Sequence, residues 1–518
     1  MSGALKKFWV SNKNMLLFCI IVTFVWGFVA HGYAFANFQL SHDALDGLYS
    51  EGNGRENAHK IELGRVMVPA YRYLFRGLFA MPWLTGLMGL LWIALAVWIT
   101  VAIFRVQSKL FVVMCSGLMT VNIAIIALTG TFLHDFDQNM FGMMLACLFV
   151  LLWQRRTKGW VITGAVAAAV CLSIYPAFIS MAIGLIMMVL LLSLLDGQKP
   201  SQVVRRGIEG AAVMALGGIL FLLLVWGVTT ISGVPLASRE NSISALESLN
   251  LASLPQLVCG MYSNWWNYFV AMPNTWLTSR AASVINGMLL ILVAIMLFTE
   301  IFVCKGRSVC QKVLAILIVL LLPLGMNVSY LLSSGFIHHL MQYAFILFYV
   351  LCLLLVGRLW EHKSLLHIGK TAGWCCLALI ALILWSGVQT ANTYHFKKNI
   401  ATKATDARMT AVYHDMLVEG YVPGKTPLVI DGRVYIASPE GFEDVSLVYS
   451  GAAHNAITHD PKSIRAYFKY VLGDDAMFCS EEQWDEIVND PYVVYEMPCY
   501  PEYGYIDYVG DVMIVNLS

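Results

Sequence analysis

About eleven apolar stretches in the first 392 residues are long enough to cross a lipid bilayer. Hydrocarbon offers the backbone no hydrogen-bond partner, so such stretches must be helical. They cover residues 15–36, 78–104, 110–132, 139–154, 160–175, 177–195, 210–232, 281–304, 313–334, 339–357 and 371–392. Only 13% of the chain is charged, against about 25% in a typical soluble protein. The sequence therefore predicts an all-α polytopic membrane protein.

Lysine and arginine occur in every second connector between these stretches. Connectors 133–138, 175–176 and 335–338 contain neither residue. Because positive residues stay on the cytoplasmic side, this alternation places the N-terminus in the cytoplasm and the C-terminus outside it. The start also resembles a signal peptide that ends at Ala34-Phe35-Ala36. Its apolar stretch is long for a signal peptide, so we interpret it as an uncleaved anchor.

The chain divides into a membrane domain, residues 1–392, and a small extracytoplasmic α/β domain, residues 393–518. The membrane domain has two long outside segments, 37–77 and 233–280. In the second domain the patterns predict helices at 401–419, 462–472 and 481–488, and strands at 427–431, 434–437, 493–497 and 512–517. Cys479 and Cys499 are its only cysteines, and an oxidising compartment favours a disulfide between them over two free thiols.

The first outside segment carries positive charge on the side where it is scarce. If 60–76 is one helix, then Arg65, Arg72 and Arg76 lie on one face. Such a stripe, with Lys60, predicts a phosphate site, and the alternative is an interfacial helix that binds anionic lipid headgroups. The acids Asp43 and Asp46 lie just upstream, beside His42. The two acids are candidate general bases or metal ligands, and His42 is a catalytic candidate with them. The alternative for the acids is helix capping or pairing with the arginines.

A second acidic cluster, His134, Asp135 and Asp137, lies in the short connector after the third span. Acids placed between two apolar helices are costly, and such residues are usually functional or paired. This cluster is a candidate acceptor site or a site for a divalent metal. Candidate sugar-binding residues are Tyr175, Trp265, Trp266, His338 and His339, because aromatic rings stack on sugars. The alternative is a place in the aromatic belt at the membrane interface. Arg280 is a further candidate for binding phosphate.

Several short motifs of the chain resemble those of the Gtr glucosyltransferases of bacteria and their phages, which modify O-antigen. They lie at residues 41–43, 46–49, 60, 64–65, 69–72 and 505–518. The layout, with an acidic first outside loop, is similar to that of the GT-C glycosyltransferases. Residues 51–57 form a longer insertion than that pattern has.

This resemblance implies an inverting transfer of glucose, or another hexose, in the bacterial cytoplasmic membrane. The implied donor is an undecaprenyl-phosphate sugar, and the acceptor is a surface polysaccharide such as the O-antigen of lipopolysaccharide. Asp43 matches the base of GT-C enzymes, and no cofactor is required, although Mg²⁺ or Mn²⁺ at Asp135 and Asp137 is compatible with the sequence. A flippase and a donor-synthesising transferase are the expected partners, and nucleic acid is not.

Two other functions fit parts of the sequence. A transporter or flippase for lipid-linked sugars would also have many spans, but it would place ionisable residues near the membrane centre. Here the charges crowd the outer ends of the spans. A polysaccharide acyltransferase would use a histidine-aspartate pair, for which His134 and Asp135 are the candidates.

Overall fold

The computed structural model of the chain describes residues 3–37, 45, 55–77, 79–237, 251–271, 280–303, 306–335, 337–361, 366–432 and 461–517. The helices of its first part are α1 (Gly3–Ala36), α2 (Arg55–Glu62), α3 (Val68–Phe75), α4 (Pro82–Phe104), α5 (Lys109–Thr120), α6 (Ile123–Thr131), α7 (Phe136–Arg155), α8 (Trp160–Ile174), α9 (Ile179–Leu195), α10 (Pro200–Ser232), α11 (Leu254–Trp266), α12 (Arg280–Phe298), α13 (Val309–Met326), α14 (Val328–Leu332), α15 (Ile346–Glu361) and α16 (Leu366–Val418).

The helices bear out the predicted membrane architecture. Within the described residues, nine helical segments are long and apolar enough to span a membrane, and the pair α5–α6, bent by 44°, adds a tenth. The shorter apolar helix α8 corresponds to the remaining predicted stretch. The predicted stretch 139–154, which is short for a span, belongs to a helical segment of 23 residues, Leu133–Arg155. The chain is therefore an all-α multi-pass membrane protein with a small strand-containing C-terminal region.

Three short 3₁₀ segments interrupt the helices at one end of the bundle. They are Leu133–Asp135, Pro176–Phe178 and His339–Phe345. The second packs against the third, since the rings of Phe178 and Tyr343 lie 6.0 Å apart. We call this end of the bundle the loop end. It is the end that we predict to lie outside the cytoplasm.

α16 connects the bundle to the C-terminal domain without a break. This helix has 53 residues and runs through residue 392, where we placed the end of the membrane domain. The domain beyond it contains a sheet of four strands in the order β2-β1-β4-β3. The strands are β1 (Pro427–Asp431), β2 (Met477–Phe478), β3 (Ile506–Val509) and β4 (Val512–Asn516), and the helices are α17 (Pro461–Tyr467), α18 (Glu481–Val488) and α19 (Pro491–Tyr495). β1 is parallel to β2 and β4, and β3 is antiparallel to β4.

The predicted helices and the strands at 427–431 and 512–517 are present, whereas β2 and β3 were not predicted and one predicted strand is a helix. Residues 493–497, predicted to be a strand, instead overlap the helix α19. Asp490 caps this helix by accepting a hydrogen bond from the Tyr492 N–H, and Pro491 occupies its first turn. These start signals outweigh the β propensity of valine and tyrosine. The predicted strand at 434–437 lies outside the described residues.

The structure does not form the predicted disulfide between Cys479 and Cys499, and both are free thiols. The Cys479 N–H donates to Leu428 O, whereas Tyr500, next to Cys499, donates to Asn516 O. In the sheet, Asn516 of β4 pairs with Asp431 of β1, and Leu428 lies three residues before Asp431. Three residues of a strand span about 10 Å, whereas the Cα atoms of a disulfide lie within about 7 Å of each other. The two cysteines are therefore held too far apart to form the bond.

Candidate active site

The basic segment 60–76 forms two short helices, α2 and α3, rather than the single helix that its charge spacing predicts. Gly64 follows α2 with a φ of +76°. The Arg65 N–H donates to Lys60 O at 2.8 Å, as in the glycine-containing turn that commonly ends a helix. Pro69 lies in the first turn of α3, where its missing N–H has no cost. The segment therefore turns at the loop end, and its cationic side chains point in different directions along its length.

Lys60 and Arg72 converge on the carboxylate of Asp135. Lys60 Nζ donates to Asp135 Oδ2 at 2.7 Å, and Arg72 Nη2 donates to Oδ1 at 3.0 Å. Gln138 Nε2 donates to Oδ1 at 2.7 Å, while its Oε1 accepts from Arg72 Nε at 3.1 Å. All four side chains are buried. The first outside segment and the connector after α6, which we predicted to be two separate sites, therefore form one ion cluster.

Arg76 and Asp137 form a second buried pair beside the first. Arg76 Nε lies 3.3 Å from Asp137 Oδ2, and both side chains are fully buried. Arg76 Nη2 also donates to His134 O at 3.1 Å. Tyr71 faces the same carboxylate, and its hydroxyl accepts from Trp92 Nε1 at 2.9 Å. Burial, together with the charge of Asp137, raises the pKa of Tyr71, so its phenol stays protonated.

The face of α3 that points away from the bundle is apolar rather than cationic. Tyr73 and Leu74 are exposed, whereas Arg72 and Arg76 point inward to the acids. An apolar outer face suits a helix that lies in the membrane interface. The expected stripe of arginines on lipid headgroups is therefore absent from the described face of α3, and carboxylates of the protein balance the charges of Arg72 and Arg76.

Asp135 and Asp137 do not fit a divalent metal. The Asp135 oxygens already accept from Lys60, Arg72 and Gln138, and Asp137 lies against Arg76. A metal ion there would be repelled by the arginines and the lysine. In the described part of the chain, no group of three or more His, Cys, Asp or Glu residues is arranged to hold a metal.

His134 and Asp135 do not form a catalytic dyad. His134 Nε2 lies 3.8 Å from Asp135 Oδ1, beyond hydrogen-bonding distance. A dyad needs an aspartate that orients the imidazole through a hydrogen bond. Since Asp135 instead accepts from Lys60 and Arg72, the geometry disfavours the acyltransferase alternative.

Arg65 differs from the other cations because an aromatic ring, not a carboxylate, holds it. Its guanidinium carbon lies 4.7 Å from the centre of the Tyr175 ring. Tyr175 ends α8 in an extended conformation directly before Pro176, as expected for a residue that precedes proline. The Met67 N–H donates to Ser173 O at 3.2 Å and fixes the turn after Arg65 against this helix end. No described carboxylate pairs with Arg65, which is half-buried.

His339 belongs to a polar network in another segment of the loop end. Its Nδ1 is 2.9 Å from Gln342 Oε1, and Gln342 Nε2 donates to Asn264 Oδ1 at 3.1 Å. The network lies in the His339–Phe345 segment, which packs against the Pro176–Phe178 segment that follows Tyr175. Burial and the neighbouring His339 lower the pKa of His338. His338 is therefore neutral at neutral pH and suits a sugar hydroxyl better than a phosphate.

The remaining predicted residues lie elsewhere. Trp265 packs into an aromatic cluster, with its ring 4.9 Å from that of Phe269 and 6.1 Å from that of Phe348. Trp266 is exposed on α11. Arg280 begins α12 with an exposed side chain and has no contact with the ion cluster among the described residues. The structure thus gathers Lys60, Arg65, Arg72, His134, Asp135, Asp137 and Tyr175, but not Trp265, Trp266 and Arg280.

His42, Asp43 and Asp46 lie outside the described residues. Leu45, between them, is described and is fully buried. It belongs to the hydrophobic core of the C-terminal domain, with Met409 of α16 and Leu428 of β1. The first outside segment therefore contacts both the bundle and the C-terminal domain.

Two residues of the site are not among the sequence candidates. Gln138 bridges Asp135 and Arg72, and Tyr71 faces Asp137. A signal for Gln138 was available, because it lies three residues after Asp135 at the start of a helix, where side chains at that spacing are neighbours. Tyr71 gave no comparable signal, since aromatic residues near a membrane surface are common.

One of the comparisons with known proteins identifies a family. The family model described as glucosyl transferase GtrII matches residues 32–356, which is more than half of the 518 residues. That range contains the ion cluster, Arg65 and Tyr175. Neither curated proteins nor solved structures gave a match to this chain. The family match confirms the resemblance to Gtr glucosyltransferases, and the chain belongs to the glucosyl transferase GtrII family.

Proposed function

We propose that this protein transfers glucose, or another hexose, from an undecaprenyl-phosphate donor to a surface polysaccharide such as O-antigen. The reaction takes place at the loop end, on the outer face of the bacterial cytoplasmic membrane. The family match supports glucosyl transfer. The observation that carries the choice of donor is Arg65, a half-buried cation held on an aromatic ring next to a buried ion cluster.

The proposed reaction is a single displacement with inversion. Asp43 accepts the proton of an acceptor hydroxyl, whose oxygen bonds to the anomeric carbon of the donor. The bond between that carbon and the phosphate oxygen breaks, and polyprenyl phosphate leaves with its electron pair. Negative charge thus develops on the phosphate, where a positioned cation lowers the barrier. Its leaving oxygen needs no protonation, so no general acid is required.

The contacts in the ion cluster indicate different roles for the cations of the first outside segment. Lys60 and Arg72 donate to Asp135, and Arg76 pairs with Asp137. We assign these three cations to positioning the first outside segment. Arg65 is the residue that we expect to contact the donor phosphate, and its stacking on Tyr175 limits the conformations of its side chain. His339, with its amide network, is the nearest candidate for contacts with sugar hydroxyls.

The proposed orientation rests on the alternation of basic connectors, and the ion cluster is compatible with it. Cations outside the cytoplasm contradict the usual charge pattern, and Asp135 and Asp137 supply the negative charge that makes three of them tolerable there. An outward-facing loop end is also where a lipid-linked donor and a growing polysaccharide would meet. A flippase and a donor-synthesising enzyme would have to supply the donor to this face.

The test compares two arginines at the loop end in purified protein reconstituted in nanodiscs. Arg65→Gln should lower kcat/KM for undecaprenyl-phosphate glucose by about 100-fold, the usual effect of removing one charge-stabilising donor. Arg280→Gln is the matched control, because it removes the same charge from an exposed position. It should leave turnover within about twofold. Equal effects of the two substitutions would refute the assignment of Arg65.

A further inference from the structure

α16 meets the chain on both sides of residues 37–44, at the end of α1 and at Leu45. The helix has 53 residues, so at 1.5 Å per residue it is about 80 Å long. Its first half belongs to the bundle, and its last turns lie in the core of the C-terminal domain. A continuous helix of this length fixes the distance between the groups that it contacts in the bundle and those that it contacts in the C-terminal domain. We call these two sites of contact the lower level and the upper level.

At the lower level, one face of α16 is hydrogen-bonded to the end of α1. Asn392 Nδ2 donates to Val29 O at 2.9 Å, and Asn399 Nδ2 donates to the Tyr33 hydroxyl at 2.8 Å. Between them, a ring nitrogen of His395 lies 3.3 Å from one of His31. The spacing 392, 395 and 399 places these three residues on one face.

The histidine pair is buried among polar groups from several helices. Both rings are fully buried, and Thr129 Oγ1 of α6 lies within 3.4 Å of a nitrogen of each ring. His31 Nε2 also lies 3.0 Å from Thr120 O. Lys398, one turn further on, donates to Gly130 O. The last turns of α1 are therefore tied to α16 through a connected polar network.

At the upper level, residues of the same helix share a hydrophobic cluster with Leu45. Leu45 is fully buried in one hydrophobic cluster with Met409, Val412 and Met416, each of which is also fully buried. These three residues again share one face of α16. Residue 409 is fourteen residues beyond residue 395, which corresponds to about 21 Å along the helix.

We propose that α16 positions the segment that carries the catalytic base. α1 ends at Ala36, Leu45 lies in the C-terminal core, and the eight residues between them include His42 and Asp43. His31 and Leu45 flank this segment and are its positioning residues, and His395 and Met409 are their counterparts on α16. The role of the C-terminal domain is then to hold the first outside segment in place. This inference rests on the proposed function.

Cross-linking tests the contact without reference to activity. Leu45→Cys would be combined in turn with Met409→Cys, Val412→Cys and Met416→Cys, in protein with a protease site inserted at Gly197. A short bifunctional thiol reagent should join the two fragments in at least one pair. Leu45→Cys with Val418→Cys is the matched control, because Val418 is exposed on the same helix. The single variants control for the native cysteines.

Kinetics separate positioning from a merely structural role. Leu45→Ala and Leu428→Ala remove the same atoms from the same buried cluster. If Leu45 positions the base, Leu45→Ala should lower kcat at least tenfold with little change in the donor KM, while Leu428→Ala should lower it less than threefold. The conservative variant Leu45→Met should retain most of the activity of the unsubstituted protein.

The outcomes distinguish the two proposals. Failure of all three Leu45 pairs to cross-link would overturn the positioning role of α16, whatever the activity. Equal kcat losses in Leu45→Ala and Leu428→Ala would overturn it as well. Absence of hexose transfer by the unsubstituted protein would overturn the proposed function, and the cross-links would still report the contact.

Discussion

The Lys60 ammonium lies 2.7 Å from the Asp135 carboxylate, although the two residues are 75 positions apart in the sequence. Both side chains are almost entirely buried. This pair joins the first outside segment to the connector between α6 and α7. Two groups of charged residues that are separate in the sequence therefore form one cluster. The pair also fixes the first outside segment to the bundle.

Asp135→Asn should destabilise the protein strongly. The substitution leaves Lys60 and Arg72 as buried cations without a carboxylate, which typically costs about 3–5 kcal/mol. Thermal denaturation in detergent would measure the loss. The combined Lys60→Met and Asp135→Leu variant should lose less than the two single substitutions together, because it removes both charges of one pair.

Glu209→Gln provides the control for that experiment. Glu209 pairs with Arg205, whose side chain is 81% exposed, and with Arg156, whose side chain is 38% exposed. Exposed pairs contribute about 0–1 kcal/mol, so the denaturation temperature should hardly change. A loss as large as that of Asp135→Asn would contradict the importance assigned to burial.

Tyr175→Phe and Tyr175→Leu should separate the ring from the hydroxyl. Phenylalanine keeps the aromatic face beneath Arg65, so transfer should stay within about threefold of the original rate, whereas leucine removes a contact of about 0.5–2 kcal/mol. A loss of that size corresponds to an affinity about tenfold lower, and we expect Tyr175→Leu to lower the affinity for the donor by this factor. Steady-state kinetics with varied donor would show it, and equal effects of both variants would contradict stacking as the role of Tyr175.

Gly64→Ala should weaken the turn that aims Arg65. Gly64 has a φ of +76°, and a side chain in the left-handed region costs about 1–2 kcal/mol. Stability and donor affinity should both fall. Gly218→Ala is the matched control, because Gly218 lies within α10 and an added Cβ would meet nothing within 4 Å. A similar loss in both variants would show that the turn has no special role.

Cys479 and Cys499 should react differently with an alkylating reagent. Cys499 is exposed and Cys479 is buried, so native protein should be modified at Cys499, and Cys479 should react only after unfolding. Mass spectrometry of the peptides would show this. Recovery of the two cysteines as a disulfide-linked peptide from unreduced protein would contradict the arrangement of the sheet.

The membrane architecture could be predicted from the sequence because span length is a local property. Every predicted apolar stretch corresponds to a helix, and the break at Pro176 was visible as a proline within a long run. The turn at Gly64 was also visible, as a glycine followed closely by Pro69, but the charge spacing favoured one helix. Helix-capping signals deserved more weight there than periodicity.

The candidate site could be predicted only in part, because its contacts join distant residues. The sequence singled out Lys60, Arg72 and Asp135, but it assigned them to separate phosphate and metal sites. Nothing local shows that these charges neutralise one another. The same limit applies to Arg65, whose distinct environment depends on Tyr175, 110 positions away in the sequence.

The stereochemistry of the product tests the central claim most directly. Purified protein would be incubated with undecaprenyl-phosphate glucose of known anomeric configuration and an O-antigen acceptor, and the product would be analysed by NMR. We expect one added hexose with the opposite configuration, and no product with Asp43→Asn. A product of unchanged configuration, or undiminished transfer by Asp43→Asn, would contradict the displacement mechanism, and the absence of any transfer would contradict the function itself.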